Sequence, residues 1–178
     1  MSMTLNPVNE AAFQKAVQSL ETLNRAAVFH PTGTGKSCIA WKVVEAHPQT
    51  TFFWLVAGAQ RLALRQAELT RYNGGTLPGN VRFCDCEKLA AATPEQWVRL
   101  GEQKPGCIVL DCYHELSAVC WAQSVQKLLR MCPQAKVLGL GVPNGAPVCA
   151  AAQELFADCI VSHICLLYTS DAADDLIG

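Results

Sequence analysis

Charge is scarce in this chain. Only 16% of its residues are Asp, Glu, Lys or Arg, and the formal net charge is −1. A balance so close to neutral gives no broad basic surface from which nucleic-acid binding could be argued by charge alone. Long apolar runs are missing as well. Each stops after a few residues, so no bilayer-spanning segment is expected. Residues 1–25 lack the cationic start and apolar centre of a signal peptide and read as amphipathic instead. Without an export signal the chain is expected to stay in a reducing cytoplasm. No internal repeat and no low-complexity segment interrupts it. The 178 residues suit one domain with a real core and are too few for two comfortable ones.

What the chain does have is apolar residues, 51% of the total, and ten cysteines. In a reducing compartment the cysteines are expected as small buried hydrophobes rather than disulfides. A zinc site is the alternative, but Cys84-Asp85-Cys86 is the closest pair in sequence. Its single intervening residue is not the usual two-to-four spacing.

The last residues stand apart. C-L-L-Y-T-S-D-A-A-D-D, starting at Cys165, resembles the conceptual translation of a sequencing-library adapter, and the preceding pattern stops there without a new element beginning. Residues 165–178 are therefore set aside as an artefact tail, which implies a natural chain cut short. Without Asp171, Asp174 and Asp175 the remainder carries 14 basic against 12 acidic residues, a formal +2.

Periodicity organises the rest. Residues 9–24 place Ala12, Phe13, Ala16, Val17, Leu20 and Leu23 at helical spacing. The short run A-A-V-F (26–29) reads as a buried strand before a Pro-Thr-Gly-Thr-Gly loop, and Ser37 to Ala46 as a helix stopping before Pro48. Strands are then expected at 51–56, 81–84, 107–110 and 136–141. Helices are expected at 60–71, from Pro94, around 119–129 and at 148–157. Uniformly apolar strands alternating with amphipathic helices indicate an α/β domain whose mostly parallel sheet is covered by helices on both faces. The expected division is an N-terminal helix over 1–25 leading into one domain over 26–164.

The chemical signal is H-P-T-G-T-G-K-S, residues 30–37, set between a strand and a helix. Gly33 and Gly35 permit backbone angles that turn successive N–H groups into one concavity, where a phosphate chain can sit. The helix adds the positive end of its dipole. Thr32, Gly33, Thr34, Gly35, Lys36 and Ser37 are the candidate ATP-binding residues, with Lys36 reaching the outer phosphates and the Ser37 hydroxyl on Mg²⁺. A Gly-rich turn that binds nothing is the alternative. A second signal is C-I-V-L-D-C-Y-H, residues 107–114, an apolar strand that ends on Asp111.

Taken together, H-P-T-G-T-G-K-S, D-x-x-H and W-x-Q-x-V-Q-x-L-L followed by V-L-G-L resemble the first RecA-like, P-loop NTPase lobe of a bacterial DEAD/DEAH-type helicase of superfamily 2, from a subgroup related to restriction-enzyme translocases. His30 stands where the strict loop has Gly, and loops of that superfamily often carry a non-Gly residue there. The resemblance covers residues 5–164 and implies ATP and Mg²⁺ as cofactors, nucleic acid (DNA rather than RNA) as partner, and a second RecA-like lobe that supplies an arginine finger. It implies Mg²⁺ on Ser37 and, through water, on Asp111, catalytic roles for Asp111 and His114, and an adenine contact near Asn9.

Three departures accompany it. The family's Glu after Asp111 orients and deprotonates the attacking water, and Cys112 is here in its place. A thiol is a weak donor and acceptor on a shorter side chain and cannot do that work. Gly141-Val142-Pro143 replaces the Ser-Ala-Thr that couples hydrolysis to strand movement. Ala57-Gly58 replaces the Pro-Ser or Pro-Thr that touches the nucleic-acid backbone. The expectation is an ATP-binding lobe with weak or absent hydrolysis. A catalytically dead regulatory or scaffold lobe, or a P-loop NTPase outside the helicases, are the other readings.

Overall fold

Strands and helices alternate along the chain as the apolar pattern requires, and every strand of the sheet runs parallel. The computed structural model describes residues 3–111, 118–143 and 150–164. Helix α1 (Pro7–Thr22) starts on the Asn6 cap, with Pro7 at its first position. It is followed by β1 (Arg25–Phe29), α2 (Lys36–Ala46), β2 (Phe52–Val56), α3 (Ala59–Tyr72) and β3 (Val81–Asp85). Next come α4 (Cys86–Ala90), α5 (Pro94–Glu102) and β4 (Cys107–Asp111). The described chain ends with α6 (Ala118–Cys120), a π-helical turn over Trp121–Val125, α7 (Gln126–Met131), β5 (Lys136–Gly141), α8 (Ala150–Phe156) and β6 (Ile160–His163).

The sheet order is β3-β2-β4-β5-β1-β6. β2, β4 and β5 are apolar almost throughout, because a strand buried on both faces has no solvent side to alternate toward. One face carries α1, α2 and α3, packed through Ile39, Val43, Val44 and Leu69 onto Trp54, Val56, Val109 and Leu140. The other carries the remaining helices, packed through Cys86, Trp97, Trp121, Leu128 and Phe156 onto Phe53, Ile108, Leu110 and Val137. This is the three-layer α/β arrangement expected from the sequence.

Two elements were not expected. α4 is a single turn whose start is fixed by Asp85, which accepts from the Glu87 amide at 3.0 Å. Five residues are too few for a helical period to register. β6 is an edge strand of four residues that are exposed or half-buried, so it lacks the apolar run that marks its neighbours. The helix expected around 119–129 is there but is split by the π-helical turn. Within that turn the Ser124 hydroxyl donates to the Cys86 carbonyl at 2.6 Å.

Most of the described cysteines behave as small core residues. Cys84, Cys86, Cys107, Cys132 and Cys159 are buried and free. No cluster of three or more metal-ligating side chains occurs among the described residues. Burial pushes the Cys84 and Cys107 thiols up to about 12 and raises that of Cys86 as well. Since the thiolate is the reactive form, iodoacetamide at pH 8 should alkylate these three on the order of 10²-fold more slowly in the native chain than in urea. Peptide mapping of the labelled chain measures the ratio. Fast native labelling of Cys107 would contradict this packing.

Candidate functional site

The C-terminal ends of the strands form one edge, the edge at which open α/β sheets bind ligands. β5 is hydrogen-bonded to β1 on one side and to β4 on the other, in a register that pairs Phe29 with Gly141 and Asp111 with Leu140. The loop after β1 and the carboxylate ending β4 are thus one strand apart, about 10 Å at ordinary strand spacing. Gly141 lies between them, and its carbonyl accepts from the His30 amide at 3.2 Å.

The loop runs from His30 to Gly35, the residue that precedes α2. Gly33 has φ +82° and Gly35 φ +91°, a region that a β-carbon disfavours. Within the turn the Pro31 carbonyl accepts from the Thr34 hydroxyl at 2.7 Å and from Lys36 Nζ at 2.8 Å. Lys36 Nζ also donates to the His30 carbonyl at 2.6 Å, so a buried ammonium is held within the loop. The amide N–H groups of Thr32, Gly33 and Gly35 donate to no acceptor among the described residues. Donors left unspent beside a lysine, at the start of an eleven-residue helix, suit a chain of phosphates.

Asn9 belongs to this loop. Its side chain is buried and donates through Nδ2 to the Thr34 carbonyl at 2.9 Å. A β-carbon added at Gly35 would stand 2.7 Å from that nitrogen. The structure therefore places Asn9 as a brace between the first turn of α1 and the loop.

His30, fully buried, sits with Nε2 2.8 Å from Ser162 Oγ on β6, while Nδ1 has no partner. An orphaned lone pair is less costly than an orphaned N–H, which favours the tautomer that donates from Nε2. Charging the ring would bury a second donor with nothing to receive it. Burial first, then Lys36 and His163, lower its pKa from 6.5 to about 4. The unfolded state therefore takes up a proton below pH 6.5 that the folded state refuses until about pH 4, so this contribution to stability is lost as pH falls across that window. The full loss is about 3 kcal/mol, at about 1.4 kcal/mol per tenfold change in proton affinity. Urea unfolding at pH 7 and pH 5 should show a steeper decline for the native chain than for His30→Gln. Parallel declines would contradict the assignment.

Asp111 is 3% exposed and points to the face that α3 covers. Its Oδ2 accepts from Trp54 Nε1 at 3.0 Å and from Arg65 Nε at 2.5 Å. Arg65 Nη1 is in turn bonded to Glu68, so the guanidinium bridges two carboxylates. Further along α3 the buried-side phenol of Tyr72 lies 3.4 Å from Cys38 Sγ and shares a hydrogen bond with Ser37. Burial pushes its pKa up. Ser37 and Asp111, the two groups expected on Mg²⁺, are thus each engaged by α3. A carboxylate oxygen already paired with a guanidinium does not fit a divalent cation as it stands, because the two positive charges would compete for one site.

Cys112 and His114 lie outside the described residues. Gly58, where the resemblance calls for Ser or Thr, has φ +82° and donates its amide to Asp85 Oδ1 at 3.3 Å, so a conformation open to glycine caps the turn into α3. Arg65, Trp54, Tyr72 and Asp85 are site-lining residues that the sequence did not single out. The R-x-x-E pair of Arg65 and Glu68 on α3 was the one visible sign.

No family model and no curated protein matches the chain. Among solved structures, the UvsW helicase from Bacteriophage T4 is similar with a TM-score of 0.64 at 11% identity, covering 91% of this chain and 60% of that one. A hypothetical ATP-dependent RNA helicase from Sulfolobus tokodaii gives 0.62 at 10% identity, covering 87% and 52%. The DNA-bound ATP-dependent Type ISP restriction-modification enzyme LlaBIII gives 0.54 at 14% identity, covering 79% and 13%. The chain therefore spans 60% or less of these three chains, and what it shares with them is the RecA-like α/β fold.

Proposed function

We propose that this chain is the ATP-binding lobe of a superfamily 2 helicase- or translocase-like protein that acts on nucleic acid, with weak or absent hydrolysis. One observation carries the reading: a glycine loop with unspent amide donors holds Lys36 one strand away from Asp111, at the sheet edge where such folds take ligands. Phosphates would be received by the amides of residues 32, 33 and 35, by Lys36 and by the N-terminus of α2.

Turnover is expected to be slow for two reasons. Cys112 replaces the water-orienting carboxylate, and the general base it would supply is worth roughly 10²–10⁴-fold. A second RecA-like lobe would bring an arginine finger, worth roughly 10³–10⁵-fold in related NTPases. Gly141-Val142-Pro143 supplies no hydroxyl between the loop and Asp111. The neighbours' printed activities, on RNA in one case and bound to DNA in another, support nucleic acid as the partner class.

Thermal unfolding with and without millimolar ATP tests the reading, since a ligand that binds only the folded state raises Tm by mass action. A rise of several degrees with ATP and none with AMP is the expected result. No rise would favour a scaffold lobe that keeps the fold without the ligand.

A further inference from the structure

Asp111 already has a cation. Arg65 reaches it from the neighbouring layer, with Nε 2.5 Å from Oδ2, while Glu68 holds the other arm of the same guanidinium. The arginine side chain is 18% exposed and the aspartate 3%, so the pair is largely withdrawn from solvent and little screened. Trp54 donates to the same oxygen from β2. An aspartate fixed from β2 and α3 at once is not a loose ligand awaiting a metal. The partner is also the better competitor for direct contact, because a guanidinium is delocalised and weakly hydrated whereas Mg²⁺ keeps its waters and would meet the carboxylate through one.

We infer that Arg65 is the resident cation of Asp111 and makes nucleotide binding by this chain independent of Mg²⁺. The inference rests on the proposed nucleotide site and specifies which counter-charge that site uses. Lys36 and the loop amides meet the phosphates in either case. What Arg65 weakens is the coupling between nucleotide and divalent cation, because the charge of Asp111 is already met by a guanidinium. By reciprocity, a nucleotide that binds equally well without Mg²⁺ cannot tighten Mg²⁺ binding at this carboxylate.

The test uses the full chain and a fluorescent ATP analogue, titrated in 5 mM MgCl₂ and again in EDTA. For the native chain the two affinities should agree to within roughly threefold. In Arg65→Met, whose Asp111 has lost its partner, Mg²⁺ should strengthen binding roughly tenfold or more, in the usual range of coupling between sites. Arg65→Lys keeps a charge but loses the planar, weakly hydrated guanidinium that bridges two carboxylates, and should fall between the native chain and Arg65→Met. Circular dichroism establishes that each variant is folded. The native ratio decides the question by itself if Arg65→Met does not fold. A native chain that binds tenfold or more tighter with Mg²⁺ would overturn the inference while leaving the nucleotide site standing. Absence of binding in both buffers would overturn the nucleotide site, and this inference with it.

Discussion

Lys36→Ala is expected to weaken nucleotide binding by about 10²–10⁴-fold while leaving the fold intact. The ammonium is held by two carbonyl oxygens, of His30 and Pro31, in the mouth of a loop whose amides at 32, 33 and 35 have no acceptor among the described residues. These carbonyls position the charge without carrying a charge of their own. An incoming phosphate chain can therefore take over the lysine's bonds and strengthen them, since a hydrogen bond to an ionised group is worth more than one between neutral groups. Losing two such bonds, at roughly 1.5–3 kcal/mol each, weakens affinity by about 10²–10⁴-fold. The stability change should be small, because the alanine keeps the helical start and the two loop carbonyls that lose the ammonium are neutral acceptors. The expected pattern is a large loss in ATP titration with Tm within about 3 °C of the native chain, a shift that corresponds to roughly 1 kcal/mol. Binding retained within threefold would mean that Lys36 does not meet the ligand.

The largest effect on stability is expected away from the site, at Gly139. This glycine lies in β5, between β4 and β1, and the ring of Phe156 on α8 fills the space where a side chain would be. A β-carbon there would stand 2.6 Å, 2.8 Å and 3.0 Å from three ring atoms. β5 is paired on both sides and cannot withdraw, and Phe156 is 2% exposed, so the strain falls on the helix. Gly139→Ala should cost about 1–3 kcal/mol, the usual range for overpacking a core. At roughly 2–4 °C per kcal/mol for a chain of this size, Tm falls by several degrees. Gly139→Ala combined with Phe156→Leu should recover part of the loss, since the smaller side chain gives up the contested volume. An additive pair, with no recovery, would contradict the contact.

The same contact shows what sequence could and could not convey. V-L-G-L announced a buried strand because its residues are apolar on both faces. That its glycine seats an aromatic ring from a helix more than ten residues later is a property of the packed layers alone. The loop was legible for the opposite reason: H-P-T-G-T-G-K-S carries its geometry locally, in two glycines, and Gly33 and Gly35 adopt the positive φ that the pattern requires. Asn9 was singled out as an adenine contact and lies against the loop, with its amide bonded to Thr34. Arg65 was passed over because an arginine on an amphipathic helix looks like part of a solvated face. Only the placement of α3 over the end of β4 brings it to Asp111. β6 was missed because an edge strand of four residues carries too little apolar signal, yet it provides Ser162, the partner of His30.

Cys112 sharpens rather than settles the chemistry. Asp111 ends β4 with its side chain on the α3 face, and its only described counter-charge is an arginine. The proposal of weak or absent hydrolysis rests on the residue beside it in sequence, and that of Mg²⁺-independent binding on its partner in space.

The central claim is that the loop binds ATP, and isothermal titration of ATP into the full chain measures it most directly. One saturable site with Kd in the micromolar range, about −6 to −8 kcal/mol, is the expected result. No saturable heat up to millimolar ATP, in a chain shown by circular dichroism to be folded, would contradict it.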